Sequence, residues 1–487
     1  MSLGLTLLSR AGMTPRAPAL ESAEGAWSYA MLAGRACRAA RWILDHAADD
    51  DAPVALLLPG DAEFLAWFSG VALAGRPVLP LNGRLAPVEI AGQLDHARVR
   101  LLVCDANDPR LDDVARRCPG VVLARTPVTD GVEVDPDDLP GARAADDATL
   151  AVLYTSGTSG RPKGACLSWS NFAASALAAS APLGDAIAER WLACMPMFHV
   201  GGLSMFVRGL LFGAPLRLVP RFEPAAVGDA LDAGDVAGVS LVPTMLSRLL
   251  EHRGDRAAPA ALRVVLLGGA AAAPSLVRRA LEAGWPVCPT YGLTEAASQV
   301  ATASPPRRGA TRPRPMLPLP DVAVRIDVDG RDAGPGEVGE ILVQGPTVMR
   351  GYLHDDEATA LALADGWLHT GDLGALDADG ALTVCDRRDD LVVSGGENVY
   401  PAEVEAALHE HPSVAEAGVA GIPDPDLGAR VVAWVVPRDG APLDAATLDA
   451  HCRALLAGYK CPREYRFRAD LPRTASGKLR RRALAGE

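Results

Sequence analysis

Residues 151–164 read Ala151-Val152-Leu153-Tyr154-Thr155-Ser156-Gly157-Thr158-Ser159-Gly160-Arg161-Pro162-Lys163-Gly164. The apolar run Leu150 to Tyr154 has the length and bounds of a buried strand. The loop after it is built from hydroxyl and glycine residues. Gly157, Gly160 and Gly164 let the backbone take positive φ and come close to a ligand. Thr155, Ser156, Thr158 and Ser159 add hydroxyl donors, and successive N–H groups can form an anion-binding nest. Arg161 and Lys163 add positive charge. By composition this is a phosphate cradle after a strand. No Gly-Lys-Ser/Thr closes it, so it is not the P-loop of the common nucleoside triphosphatases.

Outward from that loop, strand and helix alternate. Val54-Ala-Leu-Leu-Leu, Arg76-Pro-Val-Leu-Pro-Leu and Val99 to Cys104 read as short strands. Helical stretches over 62–74 and 87–97 separate them. The pattern resumes with a helix from Ser170, a strand at Trp191, a helix from Leu203 to Phe212, and strands at Leu216, Val239 and 263–267. This rhythm predicts an α/β fold of doubly wound, parallel sheets. Residues 105–148 are acidic and rich in Pro and Gly, and read as surface connection. Val322 to Gln344 is β-rich and suits a small β-barrel beside the sheets. Charged residues around 387–390 read as a linker. They divide a large N-terminal domain, 1–386, from a smaller α+β C-terminal domain, 391–487.

The chain has 487 residues, too many for a single core. A net charge of −13 argues against a nucleic-acid binder. Nine cysteines without a CxxC pair fit reduced thiols in a cytoplasm better than zinc or a disulfide framework. The longest apolar stretch, Phe64 to Ala74, is too short to span a membrane. The first basic residue is Arg10, which argues against a signal peptide.

Further constellations carry chemistry. His199, followed by Gly201-Gly202, is either a packed core residue or a pocket residue. Gly268-Gly269 ends a buried strand. Tyr291-Gly292-Leu293-Thr294-Glu295 sets a Thr and a carboxylate at a strand end, where Mg²⁺ completes its shell with substrate phosphates. Asp372, at a Gly-flanked turn, suits two ribose hydroxyls. Residues 304–320 hold six prolines and four arginines, a stiff basic segment read as a solvated loop. Lys478 stands alone on a Gly-containing loop ahead of a basic tail.

Taken together, these motifs resemble the adenylate-forming superfamily of acyl-CoA synthetases, peptide-synthetase adenylation domains and luciferases. The resemblance implies ATP, Mg²⁺ and coenzyme A as reactants or cofactor, and a small carboxylic acid as the substrate. It makes Thr155, Lys163, Glu295 and Lys478 catalytic. It extends the ATP/AMP site over Ser156, Gly157, Thr158, Ser159, Gly160, Gly269, Tyr291, Gly292, Thr294, Asp372 and Arg387. Tyr291 would stack on adenine and Glu295 would hold the metal. His199, Gly268 and Ser298 would line the acyl pocket. Gly395 and Gly396 would lie near the pantetheine tunnel, and Asp389 would be the hinge. Within the superfamily, Met195-Pro-Met-Phe-His, Thr294-Glu-Ala-Ala-Ser-Gln and Asp386-Arg-Arg look most like the 2-succinylbenzoate–CoA ligase branch of menaquinone synthesis. The glycine-x-proline element of most relatives is missing from 304–320. The alternatives are an aryl- or medium-chain acyl-CoA synthetase, or a stand-alone adenylation enzyme that loads a carrier protein. A homodimer is a further expectation.

Overall fold

Val54, Ala55, Leu56 and Leu57 are all buried, which a strand achieves only when covered on both faces. The structure is a computed structural model. It describes residues 2–46, 51–126, 139–142, 145–155, 162–307, 309–387, 390–394, 397–424, 427–438, 443–456, 458–474 and 479–486. Among these, the strand lies in a seven-stranded sheet. The order is Gly351–Tyr352, Lys163–Ser168, Thr149–Thr155, Val78–Pro80, Val54–Leu57, Leu101–Asp105, Val122–Thr126. Val54–Leu57 pairs in parallel with both of its neighbours. Val54 and Leu56 face one core cluster while Ala55 and Leu57 face another, the period of two that a strand imposes.

A nine-stranded sheet obeys the same rule. Its strands Trp191–Ala193, Gly238–Leu241, Val264–Leu267 and Val287–Leu293 pair in parallel. Val264 and Leu266 join the cluster shared with Val54, whereas Val265 and Leu267 face Leu246, Leu249 and Trp285. The shared cluster also contains Phe64, Trp67, Phe68, Phe172 and Phe206 from helices Ala62–Leu73, Trp169–Leu183 and Val200–Phe212. These helices therefore pack between the two sheets, and the fold is doubly wound as expected. Helix Ala62–Leu73 carries the long apolar stretch. Asp61 caps it by accepting from the Phe64 N–H at 3.0 Å. None of the described helices is long and apolar enough to cross a membrane.

The β-rich segment expected as a small barrel supplies an antiparallel five-stranded sheet, with edges at Arg331–Asp332 and Leu382–Arg387. A separate C-terminal sheet is built around the long antiparallel pair Val414–Asp424 and Gly428–Pro437.

Two readings change. The region read as surface connection contains helix Leu111–Arg117 and strand Val122–Thr126, which extends the parallel sheet. Its acidic composition hid Leu111 and Val114, both buried. The stretch after the phosphate loop also forms a strand, Lys163–Ser168, before its helix begins. The Ser168 hydroxyl caps that helix by accepting from the Asn171 N–H at 3.1 Å.

Candidate active site

Strand Lys163–Ser168 runs antiparallel to Thr149–Thr155, with Thr155 opposite Lys163. The glycine- and hydroxyl-rich loop is thus the connection of a β-hairpin whose ends are paired. The Thr155 hydroxyl donates to the Lys163 carbonyl at 3.5 Å. The Lys163 ammonium lies 5.1 Å from the ring centroid of Tyr352. Ser156, Gly157, Thr158, Ser159 and Gly160 lie outside the described residues, as do Asp389, Gly395, Gly396 and Lys478.

Tyr291, Gly292, Thr294 and Glu295 are placed by the next element. Strand Val287–Leu293 ends in a single 3-10 turn, Thr294–Ala296, and the chain returns as Ser298–Ala303. The pairing shifts register between Tyr291 and Gly292. A Cβ at Gly292 would collide with the Ser298 carbonyl oxygen, so only glycine closes this turn. Ser298 itself has φ 102°, outside the usual range of a non-glycine residue. Behind the turn the buried Gln299 amide donates to Thr302 Oγ1 at 2.8 Å, and Thr302 shares a 2.8 Å hydroxyl contact with Thr290. The turn therefore rests on a satisfied polar network.

From Tyr291 the site continues in both directions. The Tyr291 hydroxyl donates to Asp372 Oδ2 at 2.7 Å, and both residues are buried. Asp372 lies in strand Leu368–Leu376, expected from the sequence as a turn. Gly371 there has φ 69°. The Gly371 N–H donates to Glu340 Oε1 at 3.0 Å, and the Asp372 N–H to Thr370 Oγ1 at 3.1 Å. Arg387 stands opposite Asp372 in the adjacent strand. On the other side, Glu295 accepts from the Tyr352 hydroxyl at 3.0 Å. Asp372 with Tyr291, and Glu295 with Tyr352 and Lys163, thus form two linked polar groups, joined through the Tyr291–Glu295 segment and drawn from three sheets.

The expected pocket residues are less tightly joined to it. His199 is half-buried at the N-terminal end of helix Val200–Phe212, its ring 4.5 Å from that of Phe198. A Cβ on Gly202 would collide with the Pro196 carbonyl, so this glycine serves helix packing rather than ligand approach. Gly268 approaches Thr290, where a Cβ would sit 2.7 Å from Cγ2. Gly269 follows it, past the end of strand Val264–Leu267 and beside the strand that carries Tyr291. In the basic segment, Arg307, Arg312 and Arg314 are exposed. Met316–Pro318 adds an edge strand beside Ser298–Ala303.

No group of three or more His, Cys, Asp or Glu that could hold a metal occurs among the described residues. Glu295 offers a half-buried carboxylate at the strand end, the kind of oxygen ligand a hard divalent ion takes. No disulfide joins the nine cysteines among the described residues. Burial pushes the Cys194 and Cys288 thiols up to about 12 and Cys166 to about 11, so these thiols stay protonated at neutral pH. Tyr352 and Glu340 border the site and belong to no expected site motif, whereas Gln299 and Thr370 lie inside the Thr294–Gln299 and Asp372 stretches but are not among the expected site residues. For the first two, only the Gly351-Tyr352 dipeptide offered a local signal.

The chain belongs to the AMP-binding enzyme family. The model of that family matches residues 7–353, and the model of the AMP-binding enzyme C-terminal domain matches residues 403–478. It is 39% identical over 479 residues to the 2-succinylbenzoate–CoA ligase of Geobacillus kaustophilus, covering 98% of this chain and 96% of that one. The o-succinylbenzoate CoA synthetase of Bacillus subtilis, solved with its acyl-adenylate intermediate, superposes with a TM-score of 0.86 at 35% identity. That match covers 98% of this chain and 97% of the other. A doubly substituted form of the same enzyme, bound with its product analogue, gives 0.70 at 34% identity, covering 99% and 98%. An amide bond synthetase from Marinactinospora thermotolerans gives 0.89 at 31% identity, covering 99% of each chain.

Proposed function

We propose that the chain is an AMP-forming acid–CoA ligase whose substrate is 2-succinylbenzoate. The observation that carries the chemistry is the polar arrangement from Asp372 to Thr155, because Asp372, Tyr291, Glu295, Lys163 and Thr155 each suit one part of Mg·ATP. Asp372 accepts the ribose hydroxyls and Tyr291 lies against adenine. Thr155, Thr294 and Lys163 meet the phosphates, and Glu295 meets the metal. The substrate assignment rests on identity to the Geobacillus ligase along almost the whole chain. Fold alone would not choose the acceptor, since the amide bond synthetase superposes at least as well.

In the first half-reaction, a carboxylate oxygen of the acid attacks the α-phosphorus. The bond to the β-phosphate oxygen breaks, and pyrophosphate leaves with the electron pair. Charge spreads over phosphate oxygens in that transition state, so fixed cations and donors supply the catalysis. Mg²⁺, when bound at Glu295, offsets part of that charge. Lys163 is already held at the hairpin base, and Lys478 completes the set from the C-terminal part. No side-chain nucleophile enters. In the second half-reaction the CoA sulfur attacks the acyl carbon, the thiol proton goes to solvent, and AMP leaves.

Residues 1–386 form the adenylation domain, 387–390 the hinge and 391–487 the lid. The separate C-terminal sheet supports that division. Two complexes of the Bacillus enzyme, one with the acyl-adenylate and one a double mutant with a product analogue, match this chain at nearly equal identity and coverage with TM-scores of 0.86 and 0.70, a difference that a movable domain would produce. Nine cysteines outside any disulfide support a reaction in a reducing cytoplasm.

The test is acid-dependent AMP release in the presence of CoA, over a panel of 2-succinylbenzoate, benzoates and C4–C12 fatty acids. Selective turnover of succinylbenzoate is the expected result. Equal or faster turnover of simple acids would refute the substrate and keep the chemistry. Turnover only with an added carrier protein would refute CoA as acceptor.

A further inference from the structure

Tyr352 touches two groups of opposite charge. Its O–H donates to Glu295 Oε1 at 3.0 Å, and its ring centroid lies 5.1 Å from the Lys163 ammonium. The first contact is a charge-assisted hydrogen bond. The second lies within the range of a cation–π contact. Both charged groups are half-buried, and no ion pair joins them.

The ring is fixed from every side. Tyr352 pairs with Ala165, two residues beyond Lys163 on the same strand. Its N–H donates to Thr359 Oγ1 at 2.8 Å. The Leu353 N–H donates to the Gly164 carbonyl, and the Met349 N–H to the Glu295 carbonyl, each at 2.8 Å. The buried Asn171 amide holds the same segment by donating to the Pro346 and Val348 carbonyls, both at 2.8 Å. The backbone that carries Tyr352 is therefore bound to the elements that carry both of its charged partners.

A flexible lysine and a glutamate on opposite sides of one tyrosine side chain, both half-buried, would attract one another without the ring between them. Such a pair would consume the cation meant for phosphate and the carboxylate meant for metal. We propose that Tyr352 is a positioning residue that keeps Lys163 and Glu295 apart and separately available, the ring acting as spacer and the hydroxyl aiming the carboxylate. This rests on the roles assigned above to Lys163 and Glu295.

The two parts are separable by substitution. Tyr352→Phe keeps the spacer and removes the O–H. Tyr352→Leu removes both. ATP–pyrophosphate exchange is followed while MgCl₂ is titrated at fixed ATP, then ATP at saturating MgCl₂. Tyr352→Phe should raise the half-saturating Mg²⁺ about tenfold, the scale of one lost hydrogen bond to a charged group, and recover at high Mg²⁺. Tyr352→Leu should in addition raise the half-saturating ATP about tenfold, unrelieved by Mg²⁺. Both variants should lose more in exchange than in thioester formation from supplied acyl-AMP, and a single cooperative thermal transition in each reports an intact fold. A parental Mg²⁺ response in Tyr352→Phe, a Tyr352→Leu no worse than Tyr352→Phe, or equal loss of both half-reactions would each overturn the proposal. Glu295→Gln is the control. If it too kept the parental Mg²⁺ response, the assignment of the metal carboxylate itself would fall.

Discussion

Tyr291→Phe removes a single oxygen and leaves Asp372 buried without that donor. Tyr291 is 8% exposed and Asp372 7%, so bulk water is poorly placed to substitute. A hydrogen bond to a charged group contributes about 1.5–3 kcal/mol, and about 2 kcal/mol is a fair value here. The proposed domain 1–386 contains both partners. A cooperative unit of roughly 390 residues unfolds with about 2.1 cal/mol/K per residue, so the loss lowers Tm by about 2.5 °C. Under the proposed function, ATP brings two ribose hydroxyls to the same carboxylate. Bound nucleotide should therefore restore part of what the phenol supplied. Calorimetry with and without Mg·ATP should find the variant less stable alone, with a larger ATP-induced rise in Tm than the parent. A Tm within about 1 °C of the parent would refute the value given to the hydrogen bond. An ATP-induced rise no larger than the parent's would refute Asp372 as the ribose acceptor.

Lys478→Ala should abolish acid-dependent ATP–pyrophosphate exchange while largely sparing thioester formation from supplied acyl-AMP; equal loss of both would sink the two-state assignment. Gly292→Ala should be destabilised by at least about 1–3 kcal/mol and lose exchange activity, because its Cβ would meet backbone that cannot swing aside. Gly92→Ala is the matched control: it is an exposed helical site with open space, where alanine should stabilise by up to about 1 kcal/mol in thermal unfolding.

What the sequence made legible was local. The phosphate loop, Thr294-Glu295 and Asp372 each carry their chemistry within a few residues, and periodicity located the buried strands beside them. Strand Lys163–Ser168 escaped because Lys-Gly-Ala-Cys-Leu-Ser is small and mixed, and Ser168 already caps the next helix. Strand Val122–Thr126 escaped because acidic and proline-rich neighbours masked its pattern. The partners of the site residues were illegible for a different reason. Tyr291 meets Asp372 across 81 positions, and Tyr352 meets Glu295 across 57. No local pattern records which hydroxyl will face which carboxylate; that follows from how the sheets pack.

The hairpin at residues 149–168 separates length from phase. Thr155 and Lys163 are fixed opposite one another by the ladder on either side of the loop. A residue inserted between them would lengthen the loop and leave Lys163 facing the site. A residue inserted after Lys163, inside Lys163–Ser168, would instead carry the lysine to the opposite face of the sheet. Insertions in the loop should therefore spare the fold while those a few positions later disrupt it, and a library built across 156–168 and read out by thermal unfolding would map that boundary directly.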